Sequence, residues 1–406
     1  MTKNSVALSV AVIAMAPFYT ACNQTPRNSR EAILAYDTQD YARAAAIMQP
    51  TVEKQRTRMD ENYVLDNCRF GSCAMAAGQF DAGESAFYDA YKVINSGDTN
   101  DAGRQMQATI VFEGVKVWKG EPFERAMADY YLGVLYLMKH NYGTARAAFQ
   151  NSIFSLRENA SKDDLEHYKQ VESRFALGYF GLGFTNLRLG KTDLAVDNFK
   201  LAQQYEPRLA ALIAEVQQPG VNTLIFVDAG QGPRKAARGW YNEESVFGPT
   251  PAEAGPIAVP VAMVDGRPVT HPQTTYDTVD TLAMAQDRRW MDIDTIKKVK
   301  AVIGTGAMAA GAGMTAYGAD RGNKGMMWAG IGTTLAGAAI AASSQSDTRY
   351  WEMLPRTVYV IPARLPPGPH DVVVRAGPSQ SAPARMTMPA PTAGTVQDAV
   401  FYFRLR

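Results

Sequence analysis

Histidine and cysteine are scarce in this chain, four and three among 406 residues. His140, His167, His271 and His370 stand far apart with no second ligand at metal spacing, and no cysteine motif accompanies them, so no metal site is expected. Surface or loop positions are expected for all four. Charge of one sign is also missing: the formal net charge is +1, which leaves no broad basic face to displace counterions from phosphates. Nucleic acid is therefore not an expected partner. No serine stands in a strand-to-helix elbow. Gly230-Gln231-Gly232-Pro233-Arg234-Lys235 falls short of a phosphate loop, because a closing Ser or Thr is absent and Pro233 removes an amide such a cradle would use. It reads as a turn bearing two cations. Glu121, Glu124 and Asp129 lie close together and could form an acid and base pair. Acidic residues also belong at helix starts, where they meet the positive end of the macrodipole, and that reading is preferred. No catalytic residue, cofactor or metal is assigned, and a non-enzyme is expected.

What is present is ordinary globular composition, with 46% apolar and 20% charged residues. The length implies two or more structural units. Residues 1–22 read as an export leader: Lys3 in a short polar start, an apolar stretch from Val6 to Phe18, then small residues before Cys22. Tyr19-Thr20-Ala21-Cys22 resembles the bacterial lipobox, although Tyr19 occupies the position where leucine is usual. Lipid on Cys22 is expected, with ordinary cleavage and release as the alternative. Asn23 replaces the aspartate that favours inner-membrane retention in enteric bacteria, which points to an outer-membrane anchor facing the periplasm. Cys68 and Cys73 remain. Five residues apart on a helix they would lie about 8 Å apart, beyond the usual reach of a bridge, so buried thiols are expected.

Residues 30–218 carry helical periodicity and a recurring pattern. Leu132-Gly133, Tyr136, Tyr142, Ala145 and Phe149 match the tetratricopeptide offsets, in which small residues let paired helices approach and aromatics fill the gap. Leu182-Gly183, Gly190, Ala195, Phe199, Ala202 and Pro207 repeat it; Gly71, Ala74, Gly78, Phe80, Phe87 and Ala90 form a weaker copy, and Tyr36, Tyr41 and Ala44 a fainter one. Spacing between copies exceeds the standard repeat of about 34 residues, so loops are expected over 95–101 and 160–164. Such a stack leaves a concave surface suited to binding; a plain helical bundle is the alternative.

Residues 221–406 read as a small β domain with inserted helices. Strands are expected over Thr223–Val227, Pro256–Val264, Thr357–Ile361, Asp371–Arg375 and Ala399–Arg404, with 228–256 and 376–397 as loop or linker. Thr278–Lys300 is expected to form an amphipathic helix, and 301–342 a helical hairpin turning at Asp320–Lys324. Gly304, Gly311 and Gly318 recur every seven residues, as do Gly306 with Gly313, Gly325 with Gly332, and Gly330 with Gly337. Glycine costs about 1 kcal/mol against alanine in a soluble helix, so a glycine-zipper packing or a membrane must offset it. Packing within protein is preferred, because strongly inserting residues are few.

Three stretches carry a family resemblance: Lys119-Gly120-Glu121-Pro122-Phe123-Glu124 with Tyr130-Tyr131-Leu132-Gly133; Gly232-Pro233-Arg234-Lys235; and Arg349-Tyr350-Trp351 with Leu354-Pro355 running to Leu365-Pro366-Pro367-Gly368. In this order the chain resembles a bacterial family of tetratricopeptide-like envelope lipoproteins with a C-terminal β region and a glycine-zipper segment. The resemblance implies an envelope location and an assembly role and transfers no catalytic residue. The expectation is a mainly α protein: a tetratricopeptide-like α-solenoid followed by a small α+β domain holding the glycine hairpin. It would act as a scaffold for envelope proteins through the solenoid groove, touch the membrane through its lipid and self-associate through the hairpin. The alternative is an integral component of an envelope pore or secretion-type assembly.

Overall fold

The computed structural model describes residues 26–95, 117–155, 175–238, 244–250, 257–269, 276–287, 307–342, 347–388 and 398–406. The leader with Cys22, Gly304, Gly306, His167, His271, residues 288–300 and the expected loop at 160–164 lie outside them.

Among the described residues eight helices form four antiparallel pairs in chain order: α1 (Arg27–Asp37) with α2 (Tyr41–Thr57), α3 (Tyr63–Ala76) with α4 (Phe80–Ile94), α5 (Pro122–Met138) with α6 (Tyr142–Phe154), and α7 (Ala176–Arg188) with α8 (Thr192–Tyr205). Each pair also packs on the next, and a short α9 (Leu209–Val216) follows. One local design is used four times. Ala32, Gly71, Gly133 and Gly183 each precede a left-handed residue by seven positions: Gln39 (φ 64°), Gly78 (76°), His140 (55°) and Gly190 (70°). The following residue then donates its amide backwards, Asp40 to the Ala35 carbonyl, Gln79 to Ala74, Asn141 to Tyr136 and Lys191 to Asn186, at 2.7 to 2.9 Å. A left-handed residue of this kind satisfies the last carbonyls of one helix and reverses the chain for the next.

The glycines have a packing reason. A Cβ on Gly71 would stand 2.7 Å from the Phe87 ring, and one on Gly133 2.6 Å from Phe149. Gly183 faces Phe199 more closely still. In each pair the phenylalanine lies sixteen residues after the glycine, so sequence offset and contact repeat together. In the first pair Ala32 and Met48, both fully buried, hold the corresponding positions.

Among the described residues nine of the strands form two packed sheets, and the other two a separate two-stranded ribbon. The first runs in the order β11 (Ala399–Leu405), β1 (Thr223–Ala229), β7 (Thr357–Ala363) and β6 (Tyr276–Asp280), with β1 and β11 parallel and the other pairs antiparallel. The second joins β10 (Ala384–Met388), β8 (Gly368–Ala376), β4 (Val261–Val264) and β5 (Arg267–Pro268), with β9 (Ser379–Gln380) beside β8. Alternate residues of β1, β7 and β11, among them Ile225, Val227, Ile361, Phe401 and Phe403, meet Val372, Val374, Ala262 and Val264 in the intersheet core. Every residue of β1, β7 and β11 is buried, because the opposite face of that sheet lies under helices. Tyr130 of α5 meets Phe226 at 6.3 Å between centroids, and Tyr131 meets Tyr402 edge-on at 6.2 Å. The helices, the first sheet and the second sheet thus form three layers of one compact unit, comprising 27–234, 248–290 and 350–406. The break expected near residue 219 is a change of secondary structure inside that unit.

Other boundaries also differ from expectation. The helix expected from Thr278 starts later: β6 runs to Asp280, whose carboxylate caps α10 (Thr281–Ala285) by accepting from the Leu282 and Ala283 amides. β-Branched Thr278 and Val279 suit the sheet edge, and the Thr278 hydroxyl donates to the Val358 carbonyl at 2.9 Å. The expected linkers contain β2 (Arg234–Arg238) paired with β3 (Glu244–Gly248), and β9 and β10. β10 does alternate, apolar Ala384, Met386 and Met388 with polar Arg385 and Thr387, but it sits in a stretch rich in Gly, Pro, Ala and Ser, which is why a linker was expected there. The strand expected over Pro256–Val264 begins only at Val261.

A second unit takes in the β2–β3 ribbon and a helical hairpin, α11 (307–320) and α12 (Lys324–Ala342). In the ribbon Lys235 lies over the Phe247 ring at 5.5 Å.

Candidate functional site

The first helices of the second, third and fourth pairs are buried almost all round, whereas α1 buries only Ser29, Ala32, Ala35 and Tyr36. All thirteen residues from Tyr63 to Met75 of α3 are buried, as are Ala176–Asn186 of α7 and most of α5. The second helices bury one stripe only: Ala145, Ala148, Phe149, Ser152 and Ile153 in α6, and Ala195, Phe199 and Ala202 in α8. Tyr136, singled out with the repeat residues, is half-buried. One side of α3, α5 and α7 lies against the chain's own C-terminal part, where β1, β7 and β11 present a second apolar face that must itself be covered.

Trp351 is the centre of this filling. It is 1% exposed, its ring packs against Phe87 at 5.6 Å and Tyr131 at 5.7 Å, and its indole Nε1 donates to Ser72 Oγ at 3.1 Å. Its amide donates to Glu124 Oε1 at 2.6 Å, while Glu124 Oε2 accepts the Glu121 amide at 2.8 Å. Glu352 grips Arg69, whose guanidinium donates to both its oxygens at 2.8 and 2.6 Å and to Asp66 Oδ1 at 3.0 Å. Burial works against the Arg69 charge, and the two carboxylates more than offset it, so its pKa rises. The Leu354 carbonyl accepts the Gly232 amide at 2.8 Å, and a Cβ on Gly232 would stand 2.7 Å from that oxygen. All three stretches that carry the family resemblance thus meet around residues 351–354. The Gly230–Lys235 turn is a packing joint: Gly230 adopts φ 70°, and its carbonyl accepts from Arg404.

Two further polar joints lie between helices and sheet. Asp228 Oδ2 accepts from the Tyr131 hydroxyl at 2.6 Å and the Tyr402 hydroxyl at 2.8 Å. Asp398, before β11, accepts from the Tyr142 hydroxyl at 2.9 Å and lies 2.6 Å from the Arg188 guanidinium. Burial raises the Asp398 pKa against the opposing pull of Arg188. His140 places Nε2 2.8 Å from the Asp398 carbonyl oxygen, and His370 has Asp265 Oδ2 and the Pro366 carbonyl at 2.8 Å on its two ring nitrogens. Asp129 accepts from Ser155 Oγ at 2.8 Å. The acidic residues before the repeat are thus engaged in packing bonds. Among the described residues no group of three His, Cys, Asp or Glu side chains could hold a metal ion. Cys68 and Cys73 are free and buried, and burial pushes both thiols up.

In the hairpin, Gly311, Gly318 and Gly330 line the seam between α11 and α12. A Cβ on Gly330 would stand 2.6 Å from the Gly311 carbonyl, and one on Gly318 2.5 Å from the Met327 amide nitrogen. Thr315 and Thr334 return their hydroxyls to the Gly311 and Gly330 carbonyls at 2.8 and 2.9 Å. Gly313 and Gly332 face open space, and Gly337 lies within α12. Around the seam Trp328 is 65% exposed and Leu335 63%. Among the described residues no helix is long and apolar enough to cross a membrane.

No family model matches this chain, and no curated protein sequence matches it. Sequence reasoning had found the repeat glycines and phenylalanines but missed Trp351, Asp228, Arg404 and Asp398 as joints. Their partners lie far away in the chain, so no local periodicity pointed to the contacts they make.

Proposed function

We propose that this chain is a non-enzymatic cell-envelope scaffold, a tetratricopeptide-like solenoid held to a membrane surface by lipid on Cys22 and facing the periplasm. The fourfold turn, joined in three of the four pairs by a glycine–phenylalanine contact, carries the reading, since one packing unit repeated in series is the construction by which solenoids act through shape. With the first helices covered by β1, β11 and Trp351, partner proteins would meet the outward second helices, where Tyr88, Phe154, Leu194 and Val196 are exposed. The engagement of Glu124 and Asp129 in structural hydrogen bonds supports a non-catalytic role. The glycine hairpin would serve self-association or docking. Membrane fractionation of the intact chain, a Cys22→Ser form and a form lacking 301–342 tests the proposal. Release of Cys22→Ser into the soluble fraction is expected; retention would remove the lipid anchor from it.

A second reading, an integral component of an envelope pore or secretion-type assembly, is favoured by the exposure of Trp328 and Leu335 on a hairpin whose only charges lie at its Asp320–Lys324 turn. It predicts that Cys22→Ser resists carbonate extraction while the hairpin-deleted form does not.

A further inference from the structure

We infer that Asp228 is a protonation-dependent lock between the helical layer and the first sheet, firmest when its carboxyl group is neutral. The residue is 1% exposed and sits on the helix-facing side of β1. Its Oδ2 gathers one hydroxyl from each layer, Tyr131 of α5 and Tyr402 of β11, while Oδ1 is buried without a hydrogen bond. Arg404, paired with Asp228 across the β1–β11 register, directs its guanidinium to the Tyr36 hydroxyl and to the Asp228, Gly230 and Leu405 carbonyls. The cation thus spends its donors on backbone and tyrosine oxygens, and the carboxylate keeps one oxygen unsolvated. An anion in that position is costlier than a neutral acid, which retains both tyrosine bonds at Oδ2.

The ionisable groups facing Asp228 are Tyr41 of α2, Tyr130 and Tyr131 of α5, and Tyr402 and Arg404 of β11; β7 places Val358 opposite it. Burial raises all four tyrosines, and Arg404 is raised by the tyrosine and aspartate partners that outweigh its own burial. Within this cluster Asp228 alone therefore titrates between mild acid and neutrality. Burial pushes its pKa up to about 6, against the opposing effects of Arg404 and the two hydroxyl donors. Because folding raises this pKa, the stabilisation is complete in acid and is lost as pH rises through about 6. The lock loosens towards neutral pH.

The test compares urea unfolding of the full chain and an Asp228→Asn variant at about pH 5 and about pH 8, which cancels the titration of every other group. Asparagine keeps an acceptor for both tyrosines and carries no charge. The unfolding constant of the wild type relative to the variant is expected to grow about tenfold between the two pH values. An unchanged ratio overturns the inference. Isotope-edited infrared spectra of the wild type give a second measurement should the variant not fold: a protonated aspartyl band in mild acid that disappears near pH 6 supports the lock. A carboxylate band alone throughout that range refutes it.

Discussion

The side chain of Glu124 holds the amide of Trp351 at 2.6 Å with one oxygen and the amide of Glu121 at 2.8 Å with the other. One carboxylate therefore closes the N-terminus of α5 and fastens a segment more than two hundred residues away. Replacing it with alanine would leave a buried backbone donor unpaired as well as uncapping the helix. Glu124→Ala is expected to destabilise the chain by about 2 to 4 kcal/mol, and Glu124→Gln, which keeps an acceptor, by roughly half of that. Urea unfolding followed by tryptophan fluorescence measures both. An alanine variant as stable as the wild type would mean that packing of the Trp351 ring alone holds the segment.

The glycine–phenylalanine pairs make a second prediction. Gly133 has no room for a methyl group, because a Cβ would stand 2.6 Å from the Phe149 ring, and a Cβ on Gly181 would stand 2.5 Å from the same ring. With the ring trapped between two helices, Gly133→Ala is expected to cost about 1 to 3 kcal/mol, despite alanine's higher helix propensity. Phe149→Leu in the Gly133→Ala background is expected to recover part of the loss. Thermal melting of the single and double variants decides it; simple additivity of the two losses would show that the ring and the glycine are not in steric competition.

How much of this was readable beforehand follows from the distance over which each feature acts. The repeat residues and the strands at Thr223, Thr357 and Ala399 carry their own periodicity, and the structure places helices and strands there. The covering of α3 and α5 by Trp351 and β11 leaves no local trace, since each partner looks like an ordinary buried residue in its own segment. β10 carries an apolar alternation at Ala384, Met386 and Met388 that its Pro-, Ala- and Ser-rich surroundings obscured; it pairs with β8, where Arg385 grips Asp371 at 2.8 Å. Asp228 fell at the start of the expected 228–256 linker, one residue past the strand expected to end at Val227, whereas it lies buried inside β1.

His370 gives a pH prediction of its own. Asp265 and the Pro366 carbonyl accept from its ring, and both raise its pKa, the aspartate bond most. The folded value lies above the ordinary one near 6.5, so the stabilisation is fully present below that pH and is lost as pH rises through the raised value. His370→Gln is expected to flatten the stability profile of the second sheet on the alkaline side of about pH 6.5. Hydrogen exchange of the β8 amides against pH reports it. A wild-type profile already flat there would show that the imidazole is not held protonated.

In the hairpin the two glycine stripes should respond in opposite ways. A Cβ on Gly311 would stand 2.7 Å from the Gly330 carbonyl, and backbone cannot step aside as a flexible side chain can. Gly311→Ala is therefore expected to force α11 and α12 apart. Nothing lies within 4 Å of a Cβ on Gly313, two residues along the same helix. There alanine removes the conformational freedom of glycine without a clash, a gain of up to about 1 kcal/mol in helix stability. Limited proteolysis at the Asp320–Lys324 turn distinguishes the cases, with faster cleavage expected for Gly311→Ala and slower for Gly313→Ala. If Gly313→Ala instead loosened the hairpin while leaving its helices intact, the outward stripe would be occupied by another surface in the native protein, because only a close neighbour could make a methyl group unwelcome there.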